Sequence, residues 1–459
     1  MSEFIKLRKG LDLNIKGKAE AIVEEGSLSE TYAVKPTDFI GYHKPKLLVK
    51  AGDKVKAGTP LYFDKSQPEI SFCSPVSGEV KEIVRGDKRK LLSIVVLADP
   101  TITYEEYPKH NVSDISNMSG DDIKAHMMKS GVWPHLIQRP YAVMADPKDS
   151  PKAIFVSGFD TNPLAPDYSV LLAGQGENFK TGIAVLKKLT SGKVHLNLDG
   201  NGEVPSIFSA VKDIQINKFS GPHPAGNVGV QIHHLDPINK GEIAWTVNPV
   251  GVAQIGKLFL EGKYDASKVV ALTGSEVKAP KYYKTISGAS LVPFLNNNLK
   301  SEDVRVISGS VLSGEKIDKD GHIGFYTNNL SVIPEGNYHR FFGSFVPTAD
   351  RHSFSRAIGL MSFLDKFKFK NQKEYDVDTN VNGEYRAFVQ TGVFEQVVPM
   401  DIYPVYLLKA ILAEDYDEME ALGIFEVAEE DFALCEYVDV SKHDVQAIVR
   451  QGIELMQNS

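Results

Sequence analysis

The chain has 459 residues, 42% of them apolar, and a formal charge of −8. At roughly 100–200 residues per domain this predicts three or four domains with sizeable cores. Basic residues are spread out, which argues against a nucleic-acid partner, because that needs a basic patch or stripe. The cysteines, Cys73 and Cys435, stand far apart, form no disulfide framework and fit a reducing compartment. The opening MSEFIKLRKGLDLNIKG has no apolar h-region, so no signal peptide is expected. The longest apolar stretches, such as LLSIVVLA, run to about eight residues, whereas a membrane-spanning helix needs roughly 20.

Residues 45–98 alternate short apolar strands with glycine turns at Gly52, Gly58, Gly78 and Gly86. Glycine supplies the positive φ that tight turns require. Strands this short predict a closed or sandwiched barrel. The pieces VKAGDKVKAGTPL (Val49 to Leu61) and SPVSGEV (Ser74 to Val80) resemble the lipoyl/biotinyl carrier fold. In that fold a hairpin lysine carries the prosthetic group, and Asp64-Lys65-Ser66 stands near that place. No acyltransferase or carboxylase segment follows, so Lys65 is expected to be a solvated hairpin lysine and Cys73 a buried small hydrophobe.

Residues 121–131 (DDIKAHMMKSG) predict a short helix with an acidic start and a glycine stop at Gly131. Residues 151–295 alternate strand and helix patterns. The strands are PKAIFVSGFD, VHLNLDG, GEIAWTV and KVVALTGSEV, and the helices fall at 178–192, 206–214 and 248–264. That alternation points to βαβ units on a largely parallel sheet.

Three glycine segments invite a phosphate reading: 171–179, 221–229 and 248–256. Gly174-Gln175-Gly176 lacks the third glycine of a dinucleotide fingerprint, and no G-x-x-x-x-G-K-[ST] loop occurs, so these segments are expected to be turns. His233 and His234 are adjacent. Placed on a strand they point to opposite faces, so no metal site is expected from them. There is no G-x-S-x-G elbow and no H-E-x-x-H helix, and no catalytic residue is assigned.

Residues 303–334 predict a β-rich unit with strands at 304–307, 322–326 and 330–333, too small to build much core alone. The chain then closes in helices. The final helix is expected to be capped by Ser441 with Asp444 at N3, and Val445, Ile448, Val449, Ile453 and Met456 form its apolar stripe. Acidic residues from Glu414 to Asp431 read as a solvated face or an electrostatic docking surface.

Four strings together resemble the NqrA family, the A subunits of the sodium-translocating NADH:quinone reductases. They are FIKLRKGLDLNIKG (4–17), the barrel strings, GPHPAGNVGVQIHHLDP (221–237) and EDFALCEYVDVSK (430–442). The resemblance runs from end to end and implies an α/β multi-domain chain. It implies an N-terminal barrel-sandwich hybrid domain at 1–100 and a central α/β domain at 101–295 resembling the FMN-binding subunit of respiratory complex I. A small β-grasp or SLBB-like domain follows at 296–340, and a C-terminal helical region with a degenerate ferredoxin-like motif at 341–459.

It also implies a peripheral subunit on the cytoplasmic side of the bacterial inner membrane, held there by NqrB, NqrC, NqrD, NqrE and NqrF. The six-subunit translocase couples NADH oxidation and ubiquinone reduction to sodium export, with FAD, FMN, riboflavin and iron–sulfur centres in the other subunits. The chain is implied to bind no cofactor itself, to be inactive alone and to act in the step from ubisemiquinone to ubiquinol. The alternative is a purely structural or assembly subunit with no ligand of its own. Where the related Rnf-type subunit has four cluster cysteines, this chain has Glu429, Phe432, Cys435 and Asp439, and one thiolate cannot hold a [4Fe–4S] cluster. A quinone site needs an apolar cleft with a few polar groups aimed at the carbonyl oxygens. By residue type, the expected quinone contacts are Trp133, His135, Tyr141, Phe155, His223, His233 and His234.

Overall fold

The computed structural model describes residues 2–26, 29–41, 44–338, 354, 374–388 and 391–459. Of the helical region expected at 341–459, residues 341–353, 355–373 and 389–390 lie outside these.

Two short strands open the chain, β1 (Phe4–Lys6) and β2 (Glu20–Glu25). The barrel-sandwich follows. One of its sheets holds β3 (Thr31–Val34), β5 (Lys54–Val55), β8 (Gly78–Arg85) and β9 (Leu91–Ala98). The other holds β4 (Pro45–Leu47), β6 (Pro60–Asp64) and β7 (Gln67–Cys73). Gly52 and Gly58 turn at φ +90° and +97°, which explains their spacing between strands. Tyr62 stacks on Phe72 at 4.7 Å, and Phe39 tilts against Phe72 at 4.6 Å, in a core with Leu61, Ile70, Val80 and Ile94. Lys65 is exposed at the β6–β7 turn, and Cys73 is buried.

The central sheet holds β10 (Ile137–Arg139), β11 (Val143–Met144), β12 (Ala153–Ser157), β13 (Lys193–Asp199), β14 (Gln215–Ser220) and β15 (Ala244–Thr246). Its order is β1-β14-β13-β12-β15-β10-β11. The first five strands in that order are parallel, and β10 and β11 run antiparallel at one side. The chain therefore steps outward from β12 to β13 to β14, then returns to lay β15 on the opposite flank of β12. The strand order reverses between β12 and β15.

Helices Gly176–Leu186 and Pro249–Glu261 cover one face, and Val228–Leu235 covers the other. The first two cross closely because Gly182 and Gly256 face each other's backbone. A Cβ on Gly256 would lie 1.8 Å from the Asn178 carbonyl oxygen.

A second sheet, ordered β19-β18-β20-β16-β17-β2, contains β16 (Ser267–Thr273), β17 (Lys281–Ile286), β18 (Val304–Ser308), β19 (Glu315–Ile317) and β20 (Asn329–Pro334). The strand expected at 268–277 in the parallel sheet thus belongs elsewhere. β16 pairs with β17 and β20 and none of the central strands, because the small unit needs its area to close a core. Residues 322–326, expected as a strand, form a bridge from His322 to Ser290 and then a turn. The ammonium of buried Lys268 holds that turn through the carbonyl oxygens of Gly324, Phe325 and Thr327.

The C-terminal unit packs Pro404–Leu412, Ala433–Val438 and Val445–Asn458 around a separate core that includes Val405, Leu408, Cys435, Val449 and Ile453. Phe219 and Val230 of the central unit extend that core. The final helix starts one residue after Asp444, which takes the N-cap position, and its side chain makes no cap bond. Ser441 does not cap it. Its hydroxyl donates to the Ala387 carbonyl, and its N–H donates to Asp439. Among the described residues no helix is long and apolar enough to cross a membrane.

Candidate functional site at the strand-order reversal

In open α/β sheets the carboxyl ends of neighbouring strands leave a crevice where the strand order reverses. Here that point, between β12 and β15, opens into a cleft of about 430 Å³, within the range of small-molecule sites. Ser157, Phe159 and Asp160 reach it from the end of β12, and Thr246 and Asn248 from the end of β15. His135 and Arg139 come from the stretch entering and forming β10. Tyr326 comes from the small β unit, and Glu429 and Glu430 from the C-terminal unit. Asp38 and Ile40 of the barrel-sandwich line it too, so four units of the chain share one cleft.

Two of the glycine segments turn out to be the loops that shape it. NPVG opens helix Pro249–Glu261, where Asn248 caps the N–H of Gly251 at 2.7 Å. A Cβ on Gly251 would lie 2.9 Å from His135 Nδ1, so glycine lets the imidazole lie against the helix start. GNVG opens Val228–Leu235. There a Cβ on Gly229 would lie 2.3 Å from Asp431 Oδ2. The Asp431 carboxylate therefore sits at the positive end of a helix.

Arg139 is 4% exposed. Its Nη2 donates to Glu430 Oε1 at 2.8 Å, and its Nη1 lies 3.6 Å from Asp431 Oδ2. Its Nε and Nη1 have no hydrogen-bond partner among the described residues. Burial pushes the Asp431 carboxyl up against the pull of Arg139. Burial, aided by Asp431, Glu429 and Asp160, pushes Glu430 up to about 7 against the same pull. Burial also raises Asp160, although its Oδ1 accepts from the backbone and side chain of Asn162, both at 2.8 Å.

His135 is buried, its ring tilted over Phe325 at 4.6 Å; neither ring nitrogen makes a well-formed hydrogen bond among the described residues, though the Gln254 amide acts on the ring against burial. Burial, helped by Lys268, lowers its pKa to about 3, so the ring is neutral at physiological pH. A neutral imidazole offers one donor and one acceptor. Beside it the Tyr326 hydroxyl donates to the Pro134 carbonyl at 2.6 Å, which fixes the turn that walls the cleft.

Of the residues expected to contact quinone, His135 lines the cleft. His223 lies behind it. Its Nδ1 meets Thr161 Oγ1 at 3.1 Å, next to Asp160, and burial lowers its pKa to about 4. Tyr141 precedes the lining residue Ala142, and its carbonyl accepts from Arg450.

Trp133 and Phe155 sit in cores. The Trp133 indole N–H donates to the Ala145 carbonyl at 2.8 Å, and Phe155 stacks on His195 at 4.5 Å. His233 and His234 lie on helix Val228–Leu235, not on a strand, because a two-turn apolar stripe (Val228, Ile232, Leu235) turns that segment onto the sheet. Both reach the C-terminal unit. His233 Nδ1 meets Glu426 at 2.6 Å, and His234 Nε2 meets the Pro399 carbonyl oxygen at 2.7 Å.

Glu429, Phe432, Cys435 and Asp439 do not fit a metal cluster. Cys435 is sealed in the C-terminal core, where burial raises its thiol. Phe432 is buried beside it, Glu429 pairs with Arg450, and Asp439 accepts from the N–H groups of Ser441 and His443. Among the described residues no group of three or more His, Cys, Asp or Glu could hold a metal ion.

Fold and cleft define a multi-domain α/β chain that joins a barrel-sandwich, a parallel sheet with a cleft at its strand-order reversal, a small β unit and a helical end. Family models match three of these stretches: the NqrA N-terminal barrel-sandwich hybrid domain at residues 5–99, the NqrA second alpha/beta domain at 118–264 and the NQRA C-terminal domain at 269–319. The A subunit of the Na(+)-translocating NADH-quinone reductase of Neisseria meningitidis serogroup A is 37% identical over 455 residues, covering 99% of each chain. Its counterpart in Haemophilus influenzae strain PittGG is 37% identical over 458 residues and that in Pasteurella multocida 36% over 456, again covering 99% of each chain. An NAD+-reducing [NiFe]-hydrogenase chain aligns over 78% of this chain and 67% of its own at 11% identity and a TM-score of 0.39, a likeness too distant to bear on function. The chain belongs to the NqrA family, the A subunits of the Na(+)-translocating NADH-quinone reductases.

Proposed function

We propose that this chain is the peripheral A subunit of a Na(+)-translocating NADH:quinone reductase, which couples NADH oxidation and ubiquinone reduction to Na+ export. In this proposal NqrB to NqrF hold it on the cytoplasmic side of the bacterial inner membrane, and the flavins and iron–sulfur centres belong to them. Its own cleft takes the quinone headgroup in the step from ubisemiquinone to ubiquinol. The end-to-end match to relatives of this kind, 99% of both chains, carries the place in the complex.

The quinone assignment rests on the chemistry of the cleft. Phe159, Val247 and Tyr326 give apolar walls, while the buried side chains of His135 and Arg139 bring nitrogens that make no well-formed hydrogen bond among the described residues. A buried donor without a partner costs about 1–3 kcal/mol, and a quinone carbonyl oxygen would remove that cost.

Equilibrium binding of a short-chain quinone to the isolated chain and to the assembled complex tests this, together with mapping of a photoreactive quinone. The expected label falls on peptides carrying 135–142, 157–162 or 246–248, and His135→Phe weakens binding. Label confined to another subunit sinks the quinone assignment and leaves the alternative of a purely structural role.

A further inference from the structure

Helix Pro404–Leu412 buries Val405, Leu407, Leu408, Ala410 and Ile411 against the C-terminal core. Its exposed side chains follow one another at three-residue steps, from the N-cap Tyr403 through Tyr406 and Lys409 to Leu412, each about 60° further round the axis, so that neighbours meet while the stripe winds around the helix. Tyr403 is 63% exposed, Tyr406 60% and Leu412 50%. The two tyrosine rings meet edge to face at 6.2 Å. Exposed clustered tyrosines are the side chains that most often anchor a protein interface, and a rimmed apolar patch marks an interaction site.

The rim is acidic. Residues 401–421 hold Asp401, Glu414, Asp415, Asp417, Glu418 and Glu420 against the single cation Lys409. Glu420 pairs with Lys240 at 2.7 Å, whereas Glu414, Asp417 and Glu418 stand exposed without an ion pair among the described residues.

We infer that the stripe Tyr403, Tyr406 and Leu412, with the acidic turn at 414–418, is the surface by which this chain docks onto a Lys/Arg-rich cytoplasmic loop of a membrane-embedded partner subunit. The inference rests on the reading of the chain proposed above and names its partner surface. Moving an ion across a membrane requires a membrane-embedded part, and no helix among the described residues can cross one. The chain must therefore attach to a subunit that does. Cytoplasmic loops of membrane proteins carry an excess of Lys and Arg. An acidic rim attracts such a loop and is repelled by anionic headgroups, so the occupant is protein and not lipid.

The test uses the full chain and membrane vesicles that hold the remaining subunits, with bound chain measured by sedimentation. Tyr403→Ser/Tyr406→Ser and Glu414→Gln/Asp417→Asn/Glu418→Gln are each expected to bind at least about tenfold more weakly, the loss of one good anchor. The charge variant is also expected to lose most of the salt dependence shown by the wild type. Ile22→Ser, a comparably exposed apolar position elsewhere, should bind as the wild type does, and urea midpoints should be unchanged for all three.

Wild-type affinity in both stripe variants overturns the inference. So does equal binding of the wild type to protein-free anionic vesicles, or a wild-type homodimer that Tyr403→Ser/Tyr406→Ser dissociates. If the wild type fails to bind vesicles that hold the other subunits, the proposed place in the complex falls and takes this inference with it.

Discussion

Arg139→Met removes the guanidinium that faces the buried Asp431 and the half-exposed Glu430 in the cleft wall. Asp431 is 1% exposed and, among the described residues, keeps the Ala428 N–H at 3.0 Å and the Asn227 amide at 3.5 Å. Breaking a buried pair from one side costs about 3–5 kcal/mol. Glu430 is partly open to solvent and Asp431 can protonate, so the expected loss at neutral pH is about 2–4 kcal/mol.

The pH dependence follows from the raised carboxyls. In the folded chain they bind protons that the unfolded chain has already released, so stability falls as pH rises through the folded-state pKa. Removing Arg139 raises both further. The deficit should therefore grow from the ordinary carboxylate range upward past about 7 and shrink in acid. Urea unfolding followed by tryptophan fluorescence reports it directly, because Trp133 and Trp245 pack edge to face at 5.6 Å beside β10. The double variant Arg139→Met/Asp431→Asn should regain at least half of the loss. A single variant as stable as wild type, or a deficit independent of pH, would refute the reasoning.

Gly256→Ala drives a Cβ into the Asn178 carbonyl and should cost about 2–3 kcal/mol in urea, whereas Gly176→Ala, with no atom within 4 Å, should be neutral or stabilising by up to about 1 kcal/mol. His233→Ala removes the contacts to Glu426 and to the Asp401 N–H, so amide exchange should quicken at 401–426 while the barrel stays protected. Cys73 and Cys435 are both buried with raised thiol pKa values, so neither should react with an alkylating reagent until the chain is unfolded. Fast native labelling of Cys435 would contradict the sealed core.

The barrel was legible because its information is local: each positive-φ glycine separates two strands adjacent in sequence. The parallel sheet was legible as alternating periods, but not where it ends. β16 has the same apolar run as β12, and only its partners tell them apart. The cleft was mostly hidden. Arg139 meets a carboxylate 291 residues away, and no spacing rule spans that distance. One signal was present in the sequence, an arginine inside the apolar run LIQRPYA, where a charge needs a partner. The glycines of NPVG and GNVG read as turns, whereas their work is to admit His135 and Asp431 against helix starts.

The first 25 residues lie in two sheets at once. β1 closes the edge of the central sheet against β14, and β2 closes the edge of the second sheet against β17. They leave the ribosome well ahead of their partner strands, which are made more than 200 residues later. At about 5–20 residues per second, the opening segment waits some ten seconds or more before it can pair. A segment made early is thus laid down late, and its two strands stay unpaired until their partners are made. Truncating it should do most of its damage during synthesis, as aggregation of the nascent chain, before any effect on the finished fold is felt.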